Sequence, residues 1–353
     1  MPVPPGVSST SSWPVPNARP SVWTNPPSPA RFASLLRTRP EGCAIALLGL
    51  PDDTGVRLNN GRIGAREGPA AFRAALLRYG VNAPYEFDWP AVFDAGDVVT
   101  PEVEPGREAE ALHEMHRRVS EASAWLASQG MVVFGVGGGH DLTYALVRGA
   151  AQGRRSAHAK AGAAAAVKGL AFDAHLDVRE TVGSGMGFRK LLEERIASSI
   201  RIVGYDPLAN SREHTEWFLR NGGSIGGIIG AGISNAAGVG TGSALGTGSG
   251  PPPGLPQGSI IGGIDREDCF VSVDLDCIAM EAAPGVSAPN PIGLSAHEVS
   301  DALSRLGQIY SPFCVDLMEL CPAHDEGGRT ARLAAHLFLS FLRGRAMRSP
   351  RPL

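Results

Sequence analysis

Three short segments of the chain concentrate side chains that bind metal ions in proteins. Gly137-Gly138-Gly139 leads into His140, residues 173–177 read Asp-Ala-His-Leu-Asp, and residues 274–276 read Asp-Leu-Asp. Together they offer four carboxylates and two imidazoles, at His140, Asp173, His175, Asp177, Asp274 and Asp276. Four carboxylates that lie close together without a cation repel one another and raise their own pKa values. The residue types therefore predict a site for divalent metal ions.

The balance of carboxylates and imidazoles also indicates which metal and which reaction to expect. Two divalent cations would neutralise four carboxylates, and carboxylate-rich sites with one imidazole per metal suit Mn²⁺ better than structural zinc. Two metal ions about 3.5–4 Å apart lower the pKa of a shared water far enough to make a nucleophile at neutral pH. We therefore expect two Mn²⁺ per subunit and the hydrolysis of a small-molecule substrate.

The elements that position these residues follow from the hydrophobic pattern. Seven short apolar runs predict strands, at 44–50, 91–96, 131–136, 169–175, 200–206, 269–276 and 313–320. Segments of helical period separate them, at 68–79, 106–128, 142–150, 211–220, 296–306 and 328–343. This alternation is typical of an α/β fold in which a mainly parallel sheet is covered by helices on both faces. Such sheets carry their chemistry beyond the carboxyl ends of the strands.

The strand ends also predict how the ligand side chains are directed. In an extended chain, side chains two residues apart lie on the same face. Asp173, His175 and Asp177 should then project together, as should Asp274 and Asp276. A metal site built from three separate strand ends is the expected result.

Composition divides the chain into one catalytic domain with additions. Residues 1–40 are rich in Pro and Ser and predict a disordered leader outside a domain at 41–346. Residues 221–264 contain no charged residue and 16 of the 45 glycines, which predicts a flexible insertion rather than a membrane span. A shorter Ala-rich insertion is expected at 153–168.

Charge and cysteine content limit the partners and the compartment. Lys and Arg number 32 against 35 Asp and Glu, so the chain has no net field to attract nucleic acid or an anionic membrane. Five cysteines without a CxxC pair argue against a disulfide framework. The first twenty residues have neither the basic nor the apolar region of a secretory signal. We expect a cytoplasmic protein that binds neither nucleic acid nor membrane.

Other catalytic motifs fit poorly. His113 and His116 are three residues apart, whereas a zinc-protease helix needs a spacing of four, so a solvated helix face is expected there. The stretch from Gly135 has the first two glycines of a dinucleotide fingerprint, but His140 occupies the place of the third. The chain has no GxSxG elbow and no Walker-type GK[ST].

The metal-binding segments resemble those of the arginase, agmatinase and formimidoylglutamase family, also called ureohydrolases. The resemblance covers roughly residues 43–344, and all six ligand positions of the family's binuclear manganese centre are present. It implies a three-layer α/β/α arginase-like fold. It also implies that His140 and Asp177 bind one metal, that His175 and Asp276 bind the other, and that Asp173 and Asp274 bridge. Asp177 would in addition orient the hydroxide shared by the metals.

Several local motifs are most similar to the formimidoylglutamase branch. These are GGGHD at 137–141, GVRLNNGRIGAREGP at 55–69, SGMGFRKLLEE at 184–194, APGVSAP at 283–289 and RTARLAA at 329–335. The histidine that arginase-type enzymes carry soon after the DAHxD motif is absent from residues 178–200. The implied reaction is the hydrolysis of N-formimidoyl-L-glutamate to L-glutamate and formamide, a step of histidine degradation. Another ureohydrolase activity that releases urea from arginine, agmatine or guanidinobutyrate stays open.

The resemblance and the substrate's chemistry suggest further site residues. Glu319 stands where the family holds the cationic amidine group with a glutamate. A substrate with two carboxylates also needs cationic groups, for which arginine is well shaped. Arg57 and Arg189 are the candidates, with Asn59 as an added donor. Arg179 is left open between a structural and a substrate role.

The resemblance also implies a homo-oligomer, a trimer or a hexamer. A function of another class, a metal-binding interaction protein without catalysis, stays open as well, although such a protein has little need for four converging carboxylates.

Overall fold

The computed structural model describes residues 13–80, 88–157, 166–228 and 268–348, which form one sheet with helices on both faces. The strands are β1 Ala18–Arg19, β2 Ile45–Leu50, β3 Val92–Val98, β4 Val132–Gly137, β5 Val167–Phe172, β6 Ala197–Tyr205, β7 Gly223–Ile228, β8 Cys269–Asp274 and β9 Cys314–Met318. The α-helices are α1 Thr54–Leu58, α2 Gly68–Leu76, α3 Glu108–Ser128, α4 Leu142–Ala157, α5 Gly187–Glu193, α6 Arg212–Arg220, α7 Ala296–Ile309 and α8 Arg329–Ala346.

The sheet is parallel apart from one edge. Its strand order is β1-β3-β2-β4-β9-β8-β5-β6-β7, and β1 alone among these strands runs antiparallel, against β3. All seven predicted strands are present, and the predicted parallel α/β class is confirmed. Because the central strands are parallel, β4, β9, β8 and β5 end side by side at one edge of the sheet.

Two hydrophobic clusters cover the two faces of the sheet, and β2 shows how the sequence divides between them. Ala46, Leu48 and Leu50 pack with α3, α4 and α5 on one face, while Ile45 and Leu47 pack with α2, α7 and α8 on the other. Since successive strand residues point to opposite faces, a strand that is apolar throughout must be covered on both sides. This gives the predicted three-layer α/β/α arrangement.

The expectation that residues 1–40 are disordered is wrong for residues 13–40, which lie on the sheet. The Trp13 ring stacks on Phe93 with centroids 5.8 Å apart, and its Nε1 donates to the Ala95 carbonyl at 3.0 Å. Trp23 donates to Asp94 Oδ2 at 3.1 Å. Large aromatic rings thus anchor a segment whose average composition is poor in apolar residues. Residues 1–12 lie outside the described residues.

We expect Trp13→Ala to lower the free energy of unfolding by about 2 kcal/mol, because a half-buried ring and its hydrogen bond are both lost. Trp13→Phe keeps the stacked ring and should lose less than half as much. Chemical denaturation of both variants measures this. Two unchanged midpoints would show that the segment does not stabilise the fold.

Both predicted insertions contain residues of regular structure. In the shorter insertion, predicted at 153–168, residues 153–157 are the last residues of α4, and Val167 already belongs to β5. Residues 158–165 lie outside the described residues. The predicted flexible insertion at 221–264 begins instead with the edge strand β7, which pairs with β6. The rest of that stretch lies outside the described residues. Hydrogen bonds to β6 explain why this glycine-rich segment forms a strand, since one partner strand satisfies half of its backbone groups.

No helix in the described part of the chain is both long and apolar enough to cross a bilayer.

Candidate metal centre

The polar segments follow four neighbouring strands at the carboxyl edge of the sheet. His140 follows β4, residues 173–177 follow β5, Asp274 ends β8, and Glu319 follows β9. The parallel arrangement therefore brings together side chains that are up to 179 residues apart in the chain.

The six predicted metal ligands converge on one another. His140 Nδ1 lies 2.8 Å from Asp177 Oδ2, 3.2 Å from Asp173 Oδ2 and 3.2 Å from Asp274 Oδ2. His175 Nδ1 lies 3.3 Å from Asp276 Oδ2 and 3.6 Å from Asp173 Oδ1.

Two ligand groups can be drawn in this cluster, and Asp173 belongs to both. His140, Asp173 and Asp177 form one group, and Asp173, His175 and Asp276 form the other, with the ligand atoms of each group within 4.8 Å of one another.

The ligands were predicted to converge because they alternate along extended strands, and this reason was wrong. The strands end at Phe172 and Asp274, so the ligands after them do not alternate along extended chain. Residues 275–277 form a 3-10 turn that begins with Asp274 accepting from the Asp276 amide. Asp177 has a φ of 45°, a conformation that costs about 1 kcal/mol or more for a residue with a side chain. Tight turns, and not a period of two, direct the carboxylates into the cluster.

Several buried ligand atoms have no hydrogen-bond partner within the described ranges. They are His140 Nδ1, Asp173 Oδ2 and Asp276 Oδ1. Buried polar atoms in native proteins are almost always paired, so each unpaired one needs an explanation. The close contacts of His140 Nδ1 with three carboxylates lack hydrogen-bond geometry. Hard oxygen donors with one imidazole in each group fit Mn²⁺, and the residues present therefore fit the predicted metal ions.

Burial and the closeness of several charged groups shift the pKa values of the predicted metal ligands. Burial, together with the charge of Asp276, raises the pKa of Asp274 well above its ordinary value. Burial also raises the pKa of Asp276 to about 6, and the nearby Asp276 carboxylate raises that of His175. In the absence of metal the cluster thus retains protons that a cation would displace.

The histidine after β4 is oriented by a second row of side chains. His140 Nε2 lies 2.9 Å from Ser272 Oγ, which donates to Asp316 Oδ1 at 2.6 Å. With Ser272 donating to the carboxylate, its oxygen accepts the Nε2 proton, which leaves the Nδ1 lone pair facing the carboxylate cluster. Ser272 and Asp316 were missed from the sequence because neither stands in a metal-binding motif.

His116 contradicts the expected solvated helix face. The His116 side chain is 3% exposed, and its Nε2 lies 2.6 Å from Asp141 Oδ2. Asp141 is the residue that follows His140 in the chain. His113, on the same helix, is exposed as expected. The helical spacing of Met115 with its apolar neighbours indicated the buried face of α3, and His116 lies beside that face.

The metal cluster opens into a cavity of about 150 Å³. Its walls include Asn59, Arg179, Ser184, Asn210, His214, Ser287 and Glu319, besides ligands of the cluster. Glu319 is buried, with a φ of 66°, and its Oε1 accepts from the His140 amide at 2.9 Å. Burial and the charge of Asp274 raise the pKa of Glu319 to about 8. At neutral pH the buried Glu319 carboxyl therefore holds a proton, and a cationic ligand group beside it would lower its pKa and favour the charged carboxylate.

Two of the predicted substrate residues do not line this cavity. Arg57 is exposed and lies outside its walls. Arg189 instead pairs with Glu180 and Glu193, and its guanidinium lies 4.5 Å from the centre of the Trp217 ring. Asn59 lines the cavity, with its side-chain oxygen placed to accept from the Ser184 and Gly185 amides, and its role as a donor to the substrate stays a prediction.

Arg179 is an arginine that does line the cavity. It is exposed at the cavity wall, and its stem passes Gly185, where an added Cβ would meet Arg179 Cδ at 2.9 Å. The glycine makes room for the arginine. This resolves where Arg179 lies, although the sequence left its role open.

Comparison with known proteins decides the family. The family model described as the arginase family matches residues 43–222 and 259–343. The chain belongs to the arginase family. A formimidoylglutamase of Geobacillus thermodenitrificans is 31% identical over 303 residues, which is 83% of this chain and 81% of that protein. A formimidoylglutamase of Streptococcus pyogenes is 27% identical over 309 residues, 84% of this chain and 83% of its own.

Solved structures agree with the family assignment. The crystal structure of Trypanosoma cruzi formiminoglutamase with Mn²⁺ matches with a TM-score of 0.72 and 28% identity, over 90% of this chain and 99% of that one. The arginase-family fold expected from the metal motifs is therefore confirmed.

Proposed function

We propose that this arginase-family hydrolase converts N-formimidoyl-L-glutamate and water into L-glutamate and formamide. The observation that carries the proposal is the cavity itself, which is lined by residues of the acidic metal cluster, by Glu319 and by Arg179. A cationic amidine joined to a dicarboxylate matches that distribution of charge.

The relatives support the same substrate. The proteins from Geobacillus and Streptococcus, matched over more than four fifths of their length, are formimidoylglutamases. The Trypanosoma cruzi structure is a formiminoglutamase that contains Mn²⁺.

Two Mn²⁺ per subunit complete the proposed site. His140 and Asp177 would hold one, His175 and Asp276 the other, with Asp173 and Asp274 between them. When bound, the metal ions would supply a water whose pKa is lowered to near neutrality. Asp177 accepts a hydrogen bond from the attacking water, and Glu319 holds the amidine nitrogens through its carboxylate. Arg179 and Asn59 orient the substrate carboxylates, so that the formimidoyl carbon faces the water.

Product analysis tests the function. Mn-loaded protein given N-formimidoyl-L-glutamate should release formamide and glutamate in equal amounts. Urea released from arginine, agmatine or guanidinobutyrate, with no turnover of the formimidoyl compound, would assign another ureohydrolase activity. No turnover of any of these, with Mn²⁺ bound, would favour a metal-binding protein without catalysis.

Arg179→Ala should raise KM by about tenfold or more, because a charge-assisted hydrogen bond contributes about 1.5–3 kcal/mol. Arg179→Lys should recover only part of this, since an ammonium cannot pair with a carboxylate through two parallel bonds. Arg57→Ala is the matched control and should leave KM unchanged. Steady-state kinetics on the three variants distinguish the two arginines, and the opposite ranking would contradict the assignment of Arg179.

We also propose that the protein is cytoplasmic and acts as a homo-oligomer. Five cysteines, four of them buried and none in a disulfide within the described chain, suit the reducing cytoplasm. A homo-oligomer, trimer or hexamer, is proposed from the family resemblance, and sedimentation of the metal-loaded protein measures it.

A further inference from the structure

Histidine side chains in the cavity include one that the metal cluster does not use. His140, His175 and His214 line the cavity, and the first two face the carboxylates of the cluster. The His214 ring, which is half-buried, makes no hydrogen bond or ion pair with any residue that the structure describes. Within the described chain it is therefore an imidazole that is positioned at the cavity and free to act on a ligand.

The backbone that carries His214 is held firmly. Ser211 caps α6, and its Oγ accepts from the His214 amide at 3.1 Å. One residue further, Thr215 Oγ1 lies 2.9 Å from Tyr205 Oη. Trp217, on the next turn, contacts the guanidinium of Arg189. The anchoring of α6 fixes the direction from which the imidazole reaches the cavity.

The loop before α6 is tied to the segment that contains His175. Asn210 Nδ2 donates to the Ala174 carbonyl at 2.8 Å, and Asn210 Oδ1 accepts from the Leu176 amide at 3.0 Å. These two bonds flank His175 on both sides. His214 therefore belongs to the same wall of the cavity as the second metal-ligand group.

The proposed reaction needs a proton donor at the cavity. Hydrolysis forms a bond between the water oxygen and the formimidoyl carbon and breaks the bond from that carbon to the glutamate nitrogen. The bonding electron pair leaves with this nitrogen, which must take up a proton to depart as an amine. The amidinium already carries the two hydrogens of the formamide nitrogen, so both protons of water end on the glutamate nitrogen, which is released as an ammonium group. Histidine is the side chain best suited to carry a proton near neutral pH.

The charged groups around His214 come from several elements. Arg179 and Asp177 face the cavity from the segment after β5, Asp276 from the turn after β8, and Glu319 from the end of β9. Glu213 and Glu216 are its neighbours on α6. An arginine side chain keeps its proton in proteins, and the proposed function assigns the Glu319 carboxylate to the amidine nitrogens, so the imidazole of His214 is the group left to carry a proton.

We propose that His214 donates the proton to the departing glutamate nitrogen and regains it from the attacking water. The proposal rests on the proposed function. It explains how the chain manages without a histidine in residues 178–200, because the proton carrier is supplied by a different element, α6.

The test compares His214→Gln with His297→Gln, a substitution of a histidine exposed on α7. With N-formimidoyl-L-glutamate, kcat of His214→Gln should fall by about 10²-fold or more with little change in KM, because general acid catalysis contributes about 10²–10⁴-fold. A formimidoyl ester of a nitrophenol, whose oxygen leaves as a stable phenolate without protonation, should be hydrolysed equally by His214→Gln and the wild type. Mn content and melting temperature should be the same in all three proteins.

Several results would overturn the proposal. An increase of KM without loss of kcat would make His214 a binding residue. An equal loss with both substrates, or a loss of Mn²⁺, would give it a structural role. If the wild-type protein hydrolyses neither formimidoyl compound, the proposed function itself fails, whereas turnover by the wild type with an unchanged His214→Gln variant removes only the proton donor.

Discussion

Asp173→Asn should abolish hydrolysis while the fold is retained. Asp173 is fully buried and belongs to both ligand groups, so its loss weakens both metal positions at once. We expect kcat/KM to fall by about 10³-fold or more, equivalent to about 4 kcal/mol of transition-state stabilisation. The Mn²⁺ content should fall in parallel, because an amide is a poorer ligand than a carboxylate.

The reason to expect a folded variant is the local hydrogen bonding of this side chain. Asp173 Oδ1 accepts from the His175 amide at 2.7 Å, and an asparagine oxygen can accept the same bond. Asp301→Asn, on the exposed surface of α7, is the matched control and should keep full activity. Metal analysis, circular dichroism and kinetics of both variants give the result. Near wild-type turnover by Asp173→Asn would refute the proposed metal centre.

The sequence predicted the site because its ligands stand at strand ends. Once His140, Asp173 and Asp274 are assigned to the ends of parallel strands, their convergence follows from topology alone. The conformation beyond the strand ends could not be predicted in this way. The positive φ of Asp177 and the 3-10 turn that contains Asp276 depend on contacts with the rest of the fold.

The substrate residues were predicted less well, for a physical reason. Arg189 stands within a motif that resembles the family, but its guanidinium is engaged by two carboxylates and by Trp217, a residue 28 positions later in the chain. A motif shows which side chains are close in sequence and not which partners compete for them. His214 was missed for the same reason, since only tertiary structure places α6 on the cavity.

Residues 13–40 are ordered although their composition predicted disorder. Average composition predicted disorder for residues 1–40, yet Trp13 and Trp23 fasten residues 13–40 to β3. Two large aromatic side chains with hydrogen-bonding nitrogens are enough to order a segment of otherwise low apolar content, which an average over forty residues conceals.

Removal of Mn²⁺ should lower the melting temperature, and by more at pH 8 than at pH 6. A ligand present at 100 times its Kd stabilises the folded state by about 2.7 kcal/mol per site, so we expect a loss of about 5 °C or more on chelation. Differential scanning fluorimetry, with and without a chelator, measures the loss at each pH.

The dependence on pH follows from proton binding by the metal-free cluster. The folded-state pKa values of Asp276, at about 6, and of His140 and His175 are raised above those of the unfolded chain. Each group therefore binds more protons in the folded state, and stability falls as pH rises, from about 4 to 6 for Asp276 and above about 6.5 for the histidines. The pKa of Asp173 is lowered, so protonation of this carboxylate changes the stability only at pH values below those given for Asp276 and the histidines.

Metal binding has the opposite dependence on pH. The metal ions bind to the deprotonated ligands, so their affinity, and with it the stability that they add, rises as the ligands lose protons. The gap between the metal-loaded and the chelated protein should therefore widen from pH 6 to pH 8. Asp173→Asn provides the control, since a protein that no longer holds the metal should not respond to the chelator. A gap that narrows with rising pH, or that persists in this variant, would mean that the metal stabilises the fold from somewhere other than this cluster.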